Sequence, residues 1–204
     1  MVPMISSSLK PLVTRIINPV ASFAIRRGVT PNAVTIIGAV GLVFTAPIFY
    51  IRGQYFWGSL LITIFALSDL FDGAMARLSQ QGASAWGGFL DSTVDRITDS
   101  TIIISLLIPM IRNDDKLSYL ALITLVTGLL IPYIRAKAES YSIECSVGIA
   151  ERTERLIIIL IAAGLHGLDV QYALAAGFWL LAILGVATVV QRMLVVRRGL
   201  RTSS

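Results

Sequence analysis

Asp69-Leu-Phe-Asp72-Gly73-Ala-Met-Ala76-Arg77, then nine residues, then Gly87-Gly-Phe-Leu-Asp91-Ser-Thr-Val-Asp95: the reading of this chain turns on that stretch. Four acids and an arginine stand between two long apolar runs. An ionisable side chain near hydrocarbon costs about 2.5–3.5 kcal/mol on insertion scales, so such groups are rare there unless they work. Their spacing adds to the point. Asp69 and Asp72 are one helical turn apart, as are Asp91 and Asp95, so each pair shares a helix face. Two such faces turned toward one another make an all-oxygen metal site, which suits Mg²⁺ or Mn²⁺ rather than zinc or copper. Four carboxylates without a cation would repel, and several would protonate. The bland reading, acids paired with arginines at a membrane surface, has only Arg77 and Arg96 nearby to neutralise them.

The rest of the composition agrees with a membrane setting. Of 204 residues, 55% are hydrophobic and 14% charged, which describes one all-α integral membrane domain spanning residues 1–204. A single cysteine, Cys145, excludes an intrachain disulfide, and no Cys/His cluster suggests zinc or iron–sulfur. The net charge of +5 comes from basic residues beside apolar segments, which favours anionic headgroups and phosphate substrates over nucleic acid.

Outward from the acids, the chain reads as an N-terminal amphipathic interfacial helix, six transmembrane helices and a basic tail. Leu9, Leu12, Val13, Ile16, Ile17, Val20 and Phe23 form an apolar stripe within about residues 5–27, bent near Pro19, with no cleavable signal. The spans fall within 30–194. Thr30-Pro31-Asn32 opens the first, Ala33–Ile51, and Tyr55–Ser68 runs directly into Asp69. The third starts near Gly87, carries Asp91, Asp95 and Asp99 early and reaches Ile111. Leu117–Ile134 is the fourth, a helix following Gly148–Arg155 through Leu165 the fifth, and Val170–Val190 the sixth, before the tail at 195–204. Of the 17 basic residues only Arg52, Arg112 and Lys116 fall on the side opposite the acids, so the acids and both termini are expected to face the cytoplasm of a plasma-membrane protein.

The order Asp-x-x-Asp-Gly-x-x-Ala-Arg, nine residues, Gly-x-x-x-Asp-x-x-x-Asp resembles the signature of the CDP-alcohol phosphotransferases, and every fixed position is present. Those membrane enzymes join an alcohol to a CDP-activated group and release CMP. The resemblance implies that Asp69, Asp72, Asp91 and Asp95 hold the metal, as two Mg²⁺ or Mn²⁺ ions, and that Asp95 is the catalytic base. A base that also touches a metal has lowered proton affinity, so positioning stays open as its role. The resemblance further implies that Pro31, Asn32, Thr35, Gly73, Arg77 and Ser84 contact CDP-diacylglycerol, and that the enzyme is a homodimer. On local signal alone Thr30-Pro31-Asn32 reads equally as a plain helix cap.

A second basic group, Arg135, Lys137, Arg152 and Arg155, suits the phosphate of a phosphorylated acceptor. It reads also as ordinary flanking charge with Glu139, Glu151 and Glu154 as partners. Arg135-Ala-Lys137-Ala-Glu139 with Gly148-Ile-Ala-Glu151-Arg152-Thr-Glu154-Arg155 is similar to the actinobacterial phosphatidylinositol-phosphate synthases, which use inositol phosphate. The rival acceptor is glycerol 3-phosphate, as in phosphatidylglycerol-phosphate synthases. A transporter is the reading from a different class, but a carrier usually sets its charges near the midplane on interrupted helices. His166, Trp57, Trp86 and Trp179 read as loop or interfacial residues, and Gly38, Gly41 and Ala46 as helix-packing positions.

Overall fold

The computed structural model describes residues 18–78, 84–149 and 151–202. Most of the expected interfacial helix, up to residue 17, lies outside them. Residues 18–26 are helical. That helix stops where Gly28 takes a left-handed backbone (φ +79°) and the Gly28 and Val29 amides close on Ile25 and Ala24. Ala21 is buried against Ala74 and Met75, so the segment before the first span packs on the helix that carries the first acids.

Seven helices follow among the described residues: α1 Pro31–Tyr50, α2 Tyr55–Ala66, α3 Ser68–Leu78, α4 Ala85–Arg112, α5 Leu117–Glu139, α6 Arg152–His166 and α7 Ala173–Thr202. Thr30 caps α1 by accepting the Ala33 amide at 3.2 Å, and Pro31 takes the first helical position, where its missing N–H costs nothing. The expected second span divides at Leu67, one irregular residue between α2 and α3. Here Gly38 and Gly41 of α1 receive Ser68 and Phe65 so closely that a Cβ at either glycine would overlap them. The tail expected at 195–204 continues α7 as helix to Thr202. Its Leu and Arg residues are sound helix formers, and arginine near a C-terminus complements the helix dipole.

Among the described residues, four segments are long and apolar enough to cross a bilayer: Pro31–Tyr50, Tyr55–Met75, Leu117–Glu139 and Ala173–Arg201. The described residues are thus all helix and connection, and the chain is a multi-pass membrane protein. α4 has the length, but Asp91, Asp95, Arg96 and Asp99 charge it between its seventh and fifteenth residues. α6 is apolar beyond Arg155 but has only 15 residues, about 22 Å at 1.5 Å per residue.

The helices form two compact units. One takes in the chain up to Leu42 together with Thr63–Ile97, and the other Val43–Ile62 with Thr98–Ser204. In the second, α7 packs on both α5 and α6. Gly177 of α7 meets Ala162 of α6, and Gly185 meets Thr127 of α5, with a Cβ on Gly185 falling 3.0 Å from the Thr127 Cβ. Backbones approach through these small residues because lipid tails supply no hydrophobic drive between helices. Gly185→Val is therefore expected to wedge α5 from α7 and lower the Tm in detergent by several degrees, read by scanning fluorimetry; an unchanged Tm would contradict this packing.

Candidate active site

The first unit gathers residues from three distant segments. α1 brings Thr35 and α3 brings Asp72, both almost fully buried at 6% and 7% exposure. The Thr35 hydroxyl lies 3.2 Å from the Pro31 carbonyl, the usual back-bond of a helical threonine, but its short partner is the Asp72 carboxylate, to which it donates. Burying a carboxylate is costly unless it is hydrogen-bonded, and the Thr35 hydroxyl supplies such a bond.

The start of α4 adds a second junction. Ser84 Oγ accepts the Gly87 amide at 2.9 Å and caps the helix. Asn32 reaches the same place, its Oδ1 3.2 Å from where a Gly87 Cβ would stand. Thr30-Pro31-Asn32 is thus a cap, and through Asn32 and Thr35 the same stretch also reaches both acid-bearing helices. On α3, Arg77 folds back along the helix until its Nη1 is 3.5 Å from the Cβ position of Gly73.

Asp91 is exposed on the first turns of α4. One turn on, Asp95 is 13% exposed and accepts from Arg96 Nη1 at 3.4 Å. Asp69 stands on the α3 backbone, and its side chain lies outside the described residues. Among the described side chains no three metal-capable groups converge on one point. What Asp72, Asp91 and Asp95 offer is oxygen alone, a donor chemistry that fits a hard divalent cation.

The four cations expected at the acceptor all belong to the second unit, and Arg135 and Lys137 line different cavities there. Arg135 pairs with Glu139 at 3.0 Å and lines a cavity of about 290 Å³ with Ser142, Glu144 and Ser146. Lys137, two residues on, lies with its Nζ 5.0 Å from the centre of the Tyr141 ring and faces another groove. Arg152 is half-buried, 3.3 Å from Asp99 Oδ1 and 3.4 Å from Thr98 Oγ1. Arg155 is half-buried one turn further along α6.

Two participants gave no functional signal by type alone. Asp99 continues the four-residue spacing of Asp91 and Asp95, and that periodicity was the available clue to a partner. Arg192 counted only as a basic flank, yet it is 9% exposed inside α7 and donates to the Val147 carbonyl at 2.9 Å and the Ile131 carbonyl at 2.6 Å. It ties the loop after α5, which carries Cys145 and lines the Arg135 cavity, to two helices. A lone charge between apolar neighbours such as Val190 and Met193 was the sign of it.

Membership follows from comparison at this point. The chain belongs to the CDP-alcohol phosphatidyltransferase family, whose sequence profile matches residues 28–197. It is 40% identical to the phosphatidylinositol phosphate synthase of Streptomyces avermitilis over 96% of this chain and 83% of that one. The synthase of Cutibacterium acnes is also 40% identical, over 91% and 94%. The crystal structure of the Mycobacterium tuberculosis phosphatidylinositol phosphate synthase with CDP-DAG bound superposes with a TM-score of 0.83 at 40% identity, covering 89% of this chain and 94% of that one. The same enzyme in complex with manganese and citrate gives 0.82 at 39% identity, covering 88% of each.

Proposed function

We propose that this chain transfers the phosphatidyl group of CDP-diacylglycerol to a hydroxyl of inositol phosphate, giving phosphatidylinositol phosphate and CMP. The observation that carries the reading is the meeting of the α1 start, α3 and the α4 start, through Thr35 with Asp72 and Asn32 with Ser84 and Gly87. These are residues that the family motif assigns to nucleotide and metal. Likeness to synthases of that activity across nearly the whole chain supports the acceptor.

In this reading Asp69, Asp72, Asp91 and Asp95 hold one or two divalent cations, Mg²⁺ or Mn²⁺, the latter present in the M. tuberculosis relative. A bound cation would offset the charge that builds on the pyrophosphate oxygens. Thr35 holds the Asp72 carboxylate in place. Pro31, Asn32, Ser84 and Gly73 shape the nucleotide side, and Arg77 pairs with a phosphate. The acceptor hydroxyl oxygen bonds to the phosphorus that carries diacylglycerol, the bond from that phosphorus to the CMP oxygen breaks, and Asp95 takes the hydroxyl proton. Of the basic group expected there, Arg152 and Arg155 supply the cations for the acceptor's phosphate, since Arg135 is paired with Glu139 and Lys137 faces another groove.

The same reading makes α4 and α6 the remaining two of six spans, preceded by an interfacial helix, in one domain. Ile157, Ile161 and Leu165 of α6 form an outward apolar stripe, as do Ile97, Ile104 and Ile111 of α4, which suits lipid contact. Basic residues on the acids' side set that face toward the cytoplasm of the plasma membrane, and the working form is a homodimer.

The test is CMP release by the purified enzyme with CDP-diacylglycerol and an acceptor panel of inositol phosphate, glycerol 3-phosphate, serine and free inositol, with and without EDTA. Inositol phosphate should be used preferentially, EDTA should abolish release, and Mg²⁺ or Mn²⁺ should restore it. Undiminished release in EDTA would remove the metal assignment. Preference for glycerol 3-phosphate would transfer the function to phosphatidylglycerol-phosphate synthesis.

A further inference from the structure

The second unit carries a groove of about 450 Å³ between the C-terminal turns of α5 and α7, apart from the Arg135 cavity and used by no step above. Its wall on α7 is a single face in sequence: Met193, Val196, Arg197, Leu200 and Arg201 recur at intervals of three and four. From α5 comes Lys137, held by its contact with the Tyr141 ring. The lining is largely apolar, and Met193 is 60% exposed with Leu200 at 43%.

The height of the groove is fixed by helix length. α7 has 30 residues, about 45 Å at 1.5 Å per residue, against a hydrocarbon core of about 30 Å. Its last turns therefore leave the core and enter the headgroup layer. There the apolar residues alternate with Arg197 and Arg201 along the α7 face, and Lys137 faces them from α5, an arrangement that places hydrocarbon and phosphate side by side. A soluble phosphate needs no apolar wall, and a zwitterionic lipid gains little from three cations without a carboxylate among the groove's residues. We infer that this groove is a binding site for an anionic phospholipid of the same leaflet, with the lipid phosphate between Lys137, Arg197 and Arg201 and an acyl chain along Met193, Val196 and Leu200. The site is distinct from that proposed for CDP-diacylglycerol, which uses Asn32, Thr35, Arg77 and the acids.

Native mass spectrometry of the full-length, delipidated protein tests this, with palmitoyl-oleoyl phosphatidylglycerol and phosphatidylcholine as probes. Wild type should retain phosphatidylglycerol in preference to phosphatidylcholine. Arg197→Gln/Arg201→Gln should weaken phosphatidylglycerol retention by at least about tenfold, while Arg52→Gln, on the opposite side, should not. Met193→Trp fills the groove with the charges intact and should lower retention as well, which keeps the test decisive if the double variant folds poorly. Bound phosphatidylglycerol should survive saturating CDP-diacylglycerol. Equal retention of both lipids by wild type, retention unchanged in both groove variants, or displacement by CDP-diacylglycerol would each overturn the proposal. So would a shift from dimer to monomer in the groove variants with lipid retention unaltered, since a second copy would then be the occupant.

Discussion

Asp91→Asn is expected to lower CMP release by about three orders of magnitude, which corresponds to ~4 kcal/mol at the barrier. The substitution keeps the shape of the side chain and removes its charge, so it tests ligation rather than packing. A neutral amide is a far weaker partner for Mg²⁺ than a carboxylate and is cheaper to leave near hydrocarbon. Asp91 is exposed on α4, so expression and Tm should hold or improve. Asp72→Asn should lose as much activity and some stability besides, because the buried Thr35 hydroxyl now donates to that carboxylate. The assay is CMP release with CDP-diacylglycerol and inositol phosphate, beside a melting curve for each variant. A residual rate within tenfold of wild type, with the protein folded, would take Asp91 out of the metal set. Asp95→Asn separates two roles: lost kcat with CDP-lipid binding retained marks the base, and a parallel loss of binding marks a ligand alone.

The acids were legible because charge in an apolar chain is conspicuous, and their three- and four-residue spacing already dictated shared helix faces. Helix positions followed from the same contrast. The first span, expected at Ala33–Ile51, is Pro31–Tyr50, and the fourth starts at Leu117 as expected. Register between helices was not legible. Nothing in the sequence says that Thr35 meets Asp72, 37 residues on, or that Arg152 meets Asp99 across 53. Those pairings depend on how α1 sits on α3, which the glycines Gly38 and Gly41 permit but do not specify, and on how α6 sits on α4.

One divergence could have been read beforehand. Arg135 and Lys137 were grouped for their charge, yet residues two apart on a helix point to nearly opposite sides. The structure accordingly gives Arg135 to the cavity with Glu139 and Lys137 to the groove with Arg197. Charge counting likewise hid Arg192. Its burial follows from the backbone carbonyls of Ile131 and Val147, and carbonyls have no sequence signature.

Arg152→Ala is expected to raise the KM for inositol phosphate at least about tenfold, equivalent to ~1.4 kcal/mol, with the KM for CDP-diacylglycerol nearly unmoved. A charge-assisted hydrogen bond in a protected site contributes roughly 1.5–3 kcal/mol, so loss of one arginine–phosphate contact should be plainly measurable. Among the expected acceptor cations, Arg152 is the one to favour. Arg135 is exposed and already paired with Glu139, and Lys137 faces elsewhere. Arg152 is half-buried at the start of α6, with its guanidinium oriented by Asp99 and Thr98. A fork held in place loses less freedom on taking a phosphate than one free in solvent. The competing reading makes Arg152 only the structural partner of Asp99. On that reading Asp99→Asn and Arg152→Ala should lower the Tm alike and leave both KM values alone. Arg152→Lys separates them again, since it keeps the charge but loses the fork, and should recover part of the inositol phosphate affinity only if a phosphate is bound. Equal rises in both KM values would instead put Arg152 on the nucleotide lipid, and the acceptor's phosphate would have to be held elsewhere.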